Sequence, residues 1–222
     1  MRRLHHFILD PFSRKLRLVL REKNLDFELI EERPGEAREE LLDLDPSGAV
    51  PVLVEADGTV IADSQAIAEY LEEVHPEPSL LGRDPLARAE VRRLTAWFDR
   101  KFDGEVTNRL LEEKIMKRMV RSGQPDSQSI RLANANLHLH LRYIAWLADR
   151  RSWLAGDHFS LADIAAGAHL SVVDYLGDIP WDGHPEAKDW YARVKSRPSF
   201  RPLLADHIPG APPPAHYADL DF

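Results

Sequence analysis

The run "PSGAVPVLVEADGTVIADSQAIAEYLEEVHP", residues 46–76, carries a turn, two short strands and a helix without interruption. Pro51 to Glu55 is apolar and β-branched, Asp57-Gly58 is a two-residue hairpin signal, and Val60 to Ala62 supplies the return strand. From Asp63 the apolar spacing changes to that of a helix, which Pro76 and Pro78 end. Upstream, "RLHHFIL" reads as a first strand and Ser13 to Glu22 as a helix with Leu16, Leu18, Val19 and Leu20 on its apolar face. "LDFELIEE" reads as a second strand and "EAREELLDLD" as a further helix, so the order is βαβαββα.

"HPEPSLLGRDP" is polar, short and proline-containing, and reads as a linker. Beyond it Leu86 to Ser122, Ser127 to Arg150, Ser160 to Tyr175 and Pro185 to Ser196 all carry helical periodicity. The expected layout is a small α/β domain over 1–76, a linker over 77–85, an all-helical domain over 86–206 and a proline-rich tail over 207–222. Ser160 to Asp163, "SLAD", is a capping-box variant with a structural role: the serine caps the helix and the aspartate reaches back to it.

The 222 residues are 44% hydrophobic and 30% charged, with no apolar run of the roughly 20 residues a membrane-spanning helix requires. The opening "MRRLHHFILD" reads as a strand and not as a leader peptide, making cytoplasm the expected location. There is no cysteine, which excludes disulfides, thiolate metal sites and cysteine nucleophiles. The net charge of −8 argues against a nucleic-acid partner. His5 and His6 are neighbours on a strand, and His138 and His140 are two apart on a helix; neither pair shares a face, so no metal is expected.

A thioredoxin-like α/β domain, a linker and a helical domain with a capping box resemble the cytosolic glutathione transferase family over nearly all of residues 1–205. Val50-Pro51 matches the family's cis-proline turn, Asp63-Ser64 its acidic-then-serine pair at the third helix, and Ser160 to Asp163 its capping box. The resemblance implies that the Val50 backbone would pair with the peptide part of glutathione. Ser64 and the helix amides would take its γ-glutamyl carboxylate.

The thiol-activating position is altered. Counting back from Arg17, the place that holds a serine or cysteine in related classes falls on Asp10, in "Asp-Pro-Phe-Ser". An ionised aspartate only accepts hydrogen bonds. At ~4 Å from sulfur and an effective dielectric of ~20 it would cost the thiolate ~4 kcal/mol, or roughly three pKa units. The glutathione site is therefore expected to be degenerate, with no catalytic residue and no cofactor; the alternative keeps Ser13 as thiol activator, glutathione as cosubstrate and the groove beside Leu110 to Ile115 for the electrophile.

Two stretches suggest binding. Lys114, Lys117, Arg118 and Arg121 recur at helical spacing and form a basic stripe for an acidic partner. After Ala205 proline clustering delivers "HYADLDF", where His216, Tyr217, Asp219, Leu220, Asp221 and Phe222 read as a peptide ligand for another protein. Truncation after Pro214 is accordingly expected to spare folding. With "Asp-Pro-Phe-Ser" and that terminus, the chain resembles the FtsZ-localised division proteins within the family. This implies a non-catalytic homodimer at the division site that binds FtsZ and shapes its filaments, with the tail signalling to septal cell-wall synthesis. An adaptor for another acidic partner, such as transcription machinery, is a third reading.

Overall fold

The computed structural model describes residues 1–36 and 38–220. The α/β half runs β1 (Arg2–His6), α1 (Pro11–Glu22), β2 (Phe27–Glu31), α2 (Glu39–Leu44), β3 (Val52–Val54), β4 (Val60–Ala62) and α3 (Ser64–Val74). The sheet order is β2-β1-β3-β4, with β1 parallel to β2 and antiparallel to β3, and β3 antiparallel to β4. This is the mixed sheet of a thioredoxin-like domain. The expected element order is reproduced, and the turn at Asp57-Gly58 closes the β3–β4 hairpin.

The helical half begins with α4 (Pro85–Ala96), capped by Asp84. One long helical run then continues through a π-helical stretch (Trp97–Thr107), α5 (Asn108–Leu111), a second π-helical stretch (Glu112–Met116) and α6 (Lys117–Met119). It stops at Met119, short of the expected Ser122, because Arg121 takes a left-handed φ of 55°. There follow α7 (Ser127–Ala148), α8 (Leu161–Tyr175), α9 (Pro185–Lys195) and the short α10 (Arg201–Leu204).

Every residue of α8 is buried, as its nearly unbroken apolar run requires of a central helix. A Cβ at Gly167 would lie 2.8 Å from Val194 Cγ1, so glycine is what lets α9 approach α8. The capping box is present: Asp163 Oδ2 accepts the Ser160 amide at 3.1 Å, while its Oδ1 accepts Leu154 N at 2.9 Å and Trp190 Nε1 at 3.0 Å. α1 lies between its own sheet and α8, and the Leu16–Leu20 side of α1 joins one apolar core with Leu53, Ile67, Leu94, Phe102 and Ile164. The two halves therefore share a core, and the loops at the N-terminal end of α1 open onto the cleft between them.

Candidate functional site

Asp10 and Ser13 occupy the same helix turn and do different things. Asp10 has extended backbone and caps α1, its Oδ2 accepting the Ser13 amide at 2.6 Å. Ser13 is fully buried, and its hydroxyl oxygen accepts the Phe7 amide at 3.4 Å. The fallback reading of Ser13 as a thiol activator is thereby corrected: at the third helical position the side chain turns back into the domain. Asp10 alone faces the cleft, lining a cavity of about 480 Å³ with Phe7, Val50, Leu111 and Met116. Burial pushes its carboxyl up to about 6, against the opposing bonds from Ser13.

Val50-Pro51 is a cis peptide bond at the edge of this cavity and of a second one of about 410 Å³ that holds Asp45, Asp63 and Ser64. Asp63 sits at φ 73°, and its Oδ1 accepts the amides of Gln65 at 2.8 Å and Ala66 at 3.0 Å. The positive end of α3 thus already holds the chain's own carboxylate. Asp45 and Asp63 line the cavity and no lysine or arginine does, so a second carboxylate arriving at Ser64 would meet like charge. Of the six residues that sequence reasoning assigned to a degenerate glutathione site, Val50, Pro51, Asp63 and Ser64 line one cavity, Asp10 lines the neighbouring one together with Val50, and Ser13 lines neither.

Sequence reasoning missed a charged layer beneath the turn. Lys15, fully buried, pairs with Asp99, and His169 Nε2 stands 3.5 Å from the same carboxylate. Burial would raise Asp99, but the His169 bond and the Lys15 charge outweigh it and hold the carboxyl below its usual range. His169 Nδ1 reaches Thr107 Oγ1 at 3.1 Å, and Phe12 lies edge-on over the imidazole. Several other histidines are also engaged: His5 with Glu32 at 2.7 Å, His138 with His184 at 3.0 Å, and His140 with Trp97 and Glu105. No cluster of three metal-ligating side chains exists among the described residues.

The tail does not hang free, which corrects the reading of Tyr217 as part of an exposed ligand. Tyr217 is fully buried, receives a bond from Arg14 Nη1 at 3.0 Å and donates to the Leu203 carbonyl at 2.9 Å. Arg14 also reaches Ile8 O, Ser171 Oγ and Asp206 Oδ2, and Arg17 binds Asp206 through both carboxylate oxygens at 2.9 and 2.8 Å. Tyr175 donates to Ala211 O and accepts Ile208 N, and Lys195 reaches His216 O at 3.2 Å. His216 Nε2 lies 3.3 Å from Asp174 Oδ1. Residues 206–217 therefore form a strap across both halves; Asp219 is exposed, Leu220 half-buried, and Asp221 and Phe222 lie outside the described residues.

The basic stripe is likewise not a uniform free face. Lys114 pairs with Asp178 at 2.6 Å, Lys117 with Glu113 at 2.6 Å, and Arg118 donates to the Gly210 carbonyl at 2.9 Å. Arg121 lies beyond the helix. The four nonetheless converge on one concavity.

The family descriptions "Glutathione S-transferase, N-terminal domain" and "Glutathione S-transferase, C-terminal domain" match residues 11–74 and 115–198. FtsZ-localized protein A of Caulobacter vibrioides is 54% identical over 100% of this chain and 98% of its own length. The solved structure of FzlA from C. crescentus covers 100% of this chain and 99% of that one at 54% identity and a TM-score of 0.97. A glutathione S-transferase crystal structure from Rhodospirillum rubrum covers both chains fully at 60% identity and a TM-score of 0.98. With its cis-proline groove, its capped third helix and its helical second half, this chain belongs to the glutathione S-transferase family.

Proposed function

We propose that this chain is a transferase-fold adaptor of cell division that binds FtsZ polymers at the division site, works as a cytoplasmic homodimer and does not depend on glutathione chemistry. The observation that carries the reading is the 54% identity to FtsZ-localized protein A over 100% of the chain, strap and tail included. The altered turn supports it: the one serine near a thiol's place is buried, and the residue that faces the groove is an acid. The α3 seat for a ligand carboxylate is shared with Asp63. A dimer presents two partner surfaces and can bridge or curve filaments through avidity. The residues past the buried Tyr217, beginning at Asp219, are the part of the tail that signals to septal cell-wall synthesis.

Co-sedimentation with GTP-assembled FtsZ, with and without glutathione, tests this. Pelleting with polymers at moderate salt, unchanged by glutathione, is the expected result. A chain that stays in the supernatant, or turns over an aryl halide with glutathione in a Ser13-dependent way, overturns it.

A further inference from the structure

At the end of α6 the chain turns through Arg121 at φ 55° and Gly123 at φ 156° into Pro125, leaving a concavity of about 510 Å³. Its walls are Lys114, Lys117, Arg118 and Arg121 with the backbone of Gly123 to Pro125. Asp178 and Glu113 neutralise the two lysines. The two arginines have no carboxylate partner among the described residues: Arg118 meets a neutral carbonyl, and Arg121 is exposed. On a chain of net charge −8, two uncompensated guanidinium groups thus line one hollow.

The hollow is built. Gly210 of the strap forms its back support, holding Arg118 Nη1 at 2.9 Å, and a Cβ at Gly210 would sit 3.2 Å from Arg118 Nη2. Met119 lines a different cavity, with Phe7, Ile8 and Ile208, so the side chains around this hollow are basic or polar apart from Pro125. Guanidinium forks match carboxylates in bidentate fashion. The acidic chain as a whole repels extended polyanions, so a ligand must bring few negative charges close together.

We infer that this concavity is a docking site for an acidic peptide segment of a protein partner, with neighbouring Asp or Glu carboxylates on Arg118 and Arg121. The site stands independently of the FtsZ reading: peptide capture and polymer pelleting are separate measurements, and either can fail alone.

The test is a titration of the full ¹⁵N-labelled chain with capped tetra-aspartate, read in the amide signals of Gly123 and Gln124. Saturable shifts confined to this region are expected, absent with capped tetra-asparagine at matched ionic strength, and about tenfold weaker in Arg121→Glu. Both residues at 121 bear the same left-handed backbone cost, and Arg121 is exposed, so the variant retains its fold. Equal response to both peptides, or an unchanged Arg121→Glu, overturns the proposal. Flotation with phosphatidylglycerol vesicles that Arg121→Glu abolishes, with no peptide response, assigns the hollow to a lipid headgroup instead and also overturns it.

Discussion

Arg14 in the first helix and Tyr217 in the last turn, 203 positions apart, are both completely buried and joined by a 3.0 Å bond from Nη1 to the phenol oxygen. A buried guanidinium needs nearly all its N–H groups met, and Arg14 finds them on Ile8, Ser171, Asp206 and Tyr217. The tail is thus a structural partner of the site turn.

Removing only the phenol oxygen, in Tyr217→Phe, is expected to cost about 1–3 kcal/mol, because Arg14 loses an acceptor and Leu203 a donor. Tyr217→Ala adds a cavity, for about 3–5 kcal/mol. Truncation after Pro214 removes the same anchor and destabilises, contrary to the expectation from sequence, whereas truncation after Ala218 keeps Tyr217 and lowers the urea midpoint by less. Equal midpoints for all four proteins would refute the anchoring role.

Asp206 holds Arg14 and Arg17 together. Asp206→Asn leaves two buried cations facing a neutral amide, and a loss of about 3–5 kcal/mol is expected in equilibrium unfolding. Asp182→Asn, a change at an exposed carboxylate, serves as control and should stay within about 0.5 kcal/mol of the parent.

Burial lifts Asp10 from 3.8 to about 6, and burial, aided by the Arg17 charge, lowers His6 from 6.5 to about 4. Folded Asp10 keeps a proton that the unfolded chain releases, so its contribution falls as pH rises from 3.8 to 6. Unfolded His6 takes a proton that the folded chain refuses, so its contribution rises between pH 4 and 6.5. The two oppose each other in the parent. Asp10→Asn, which keeps a capping side chain, should gain on the parent steadily from pH 4 to 6 and hold that gain above it. Parallel stability curves for the two proteins would contradict this.

Gly167→Ala gains about 1 kcal/mol of helix propensity but drives a methyl to 2.8 Å from Val194 Cγ1. A net loss is expected, since overpacking costs about 1–3 kcal/mol. In the double variant with Val194→Ala the clash disappears, so the two losses should be less than additive in a thermal or urea cycle. Strict additivity would mean that the helices shift apart freely.

The elements legible in the sequence are those whose signal is contiguous. Val50-Pro51, Asp63-Ser64 and Ser160 to Asp163 each declare a backbone geometry within four residues, and the structure places all three as such. The α1 sequence hid its role because helical spacing distinguishes faces, not depth: Arg14, Lys15 and Arg17 look like a solvated edge, yet all are buried on partners 84 to 203 positions away. The stripe misread for the same reason. Lys117 had its neutralising Glu113 one turn earlier, a visible signal, but Asp178 lies 64 positions from Lys114 and nothing local announces it. Ser13 was separable from Asp10 only by knowing where the helix starts, since the cap faces the groove and the third position does not.

The strap also orders events in time. Arg14 is synthesised 192 positions before Asp206 and 203 before Tyr217. Until Asp206 and Tyr217 emerge, the nascent first domain carries a guanidinium whose burial is unfavourable, and the site turn at Ile8 lacks its settled support. The turn that carries Asp10 is therefore fully supported only in chains whose strap has closed over Arg14.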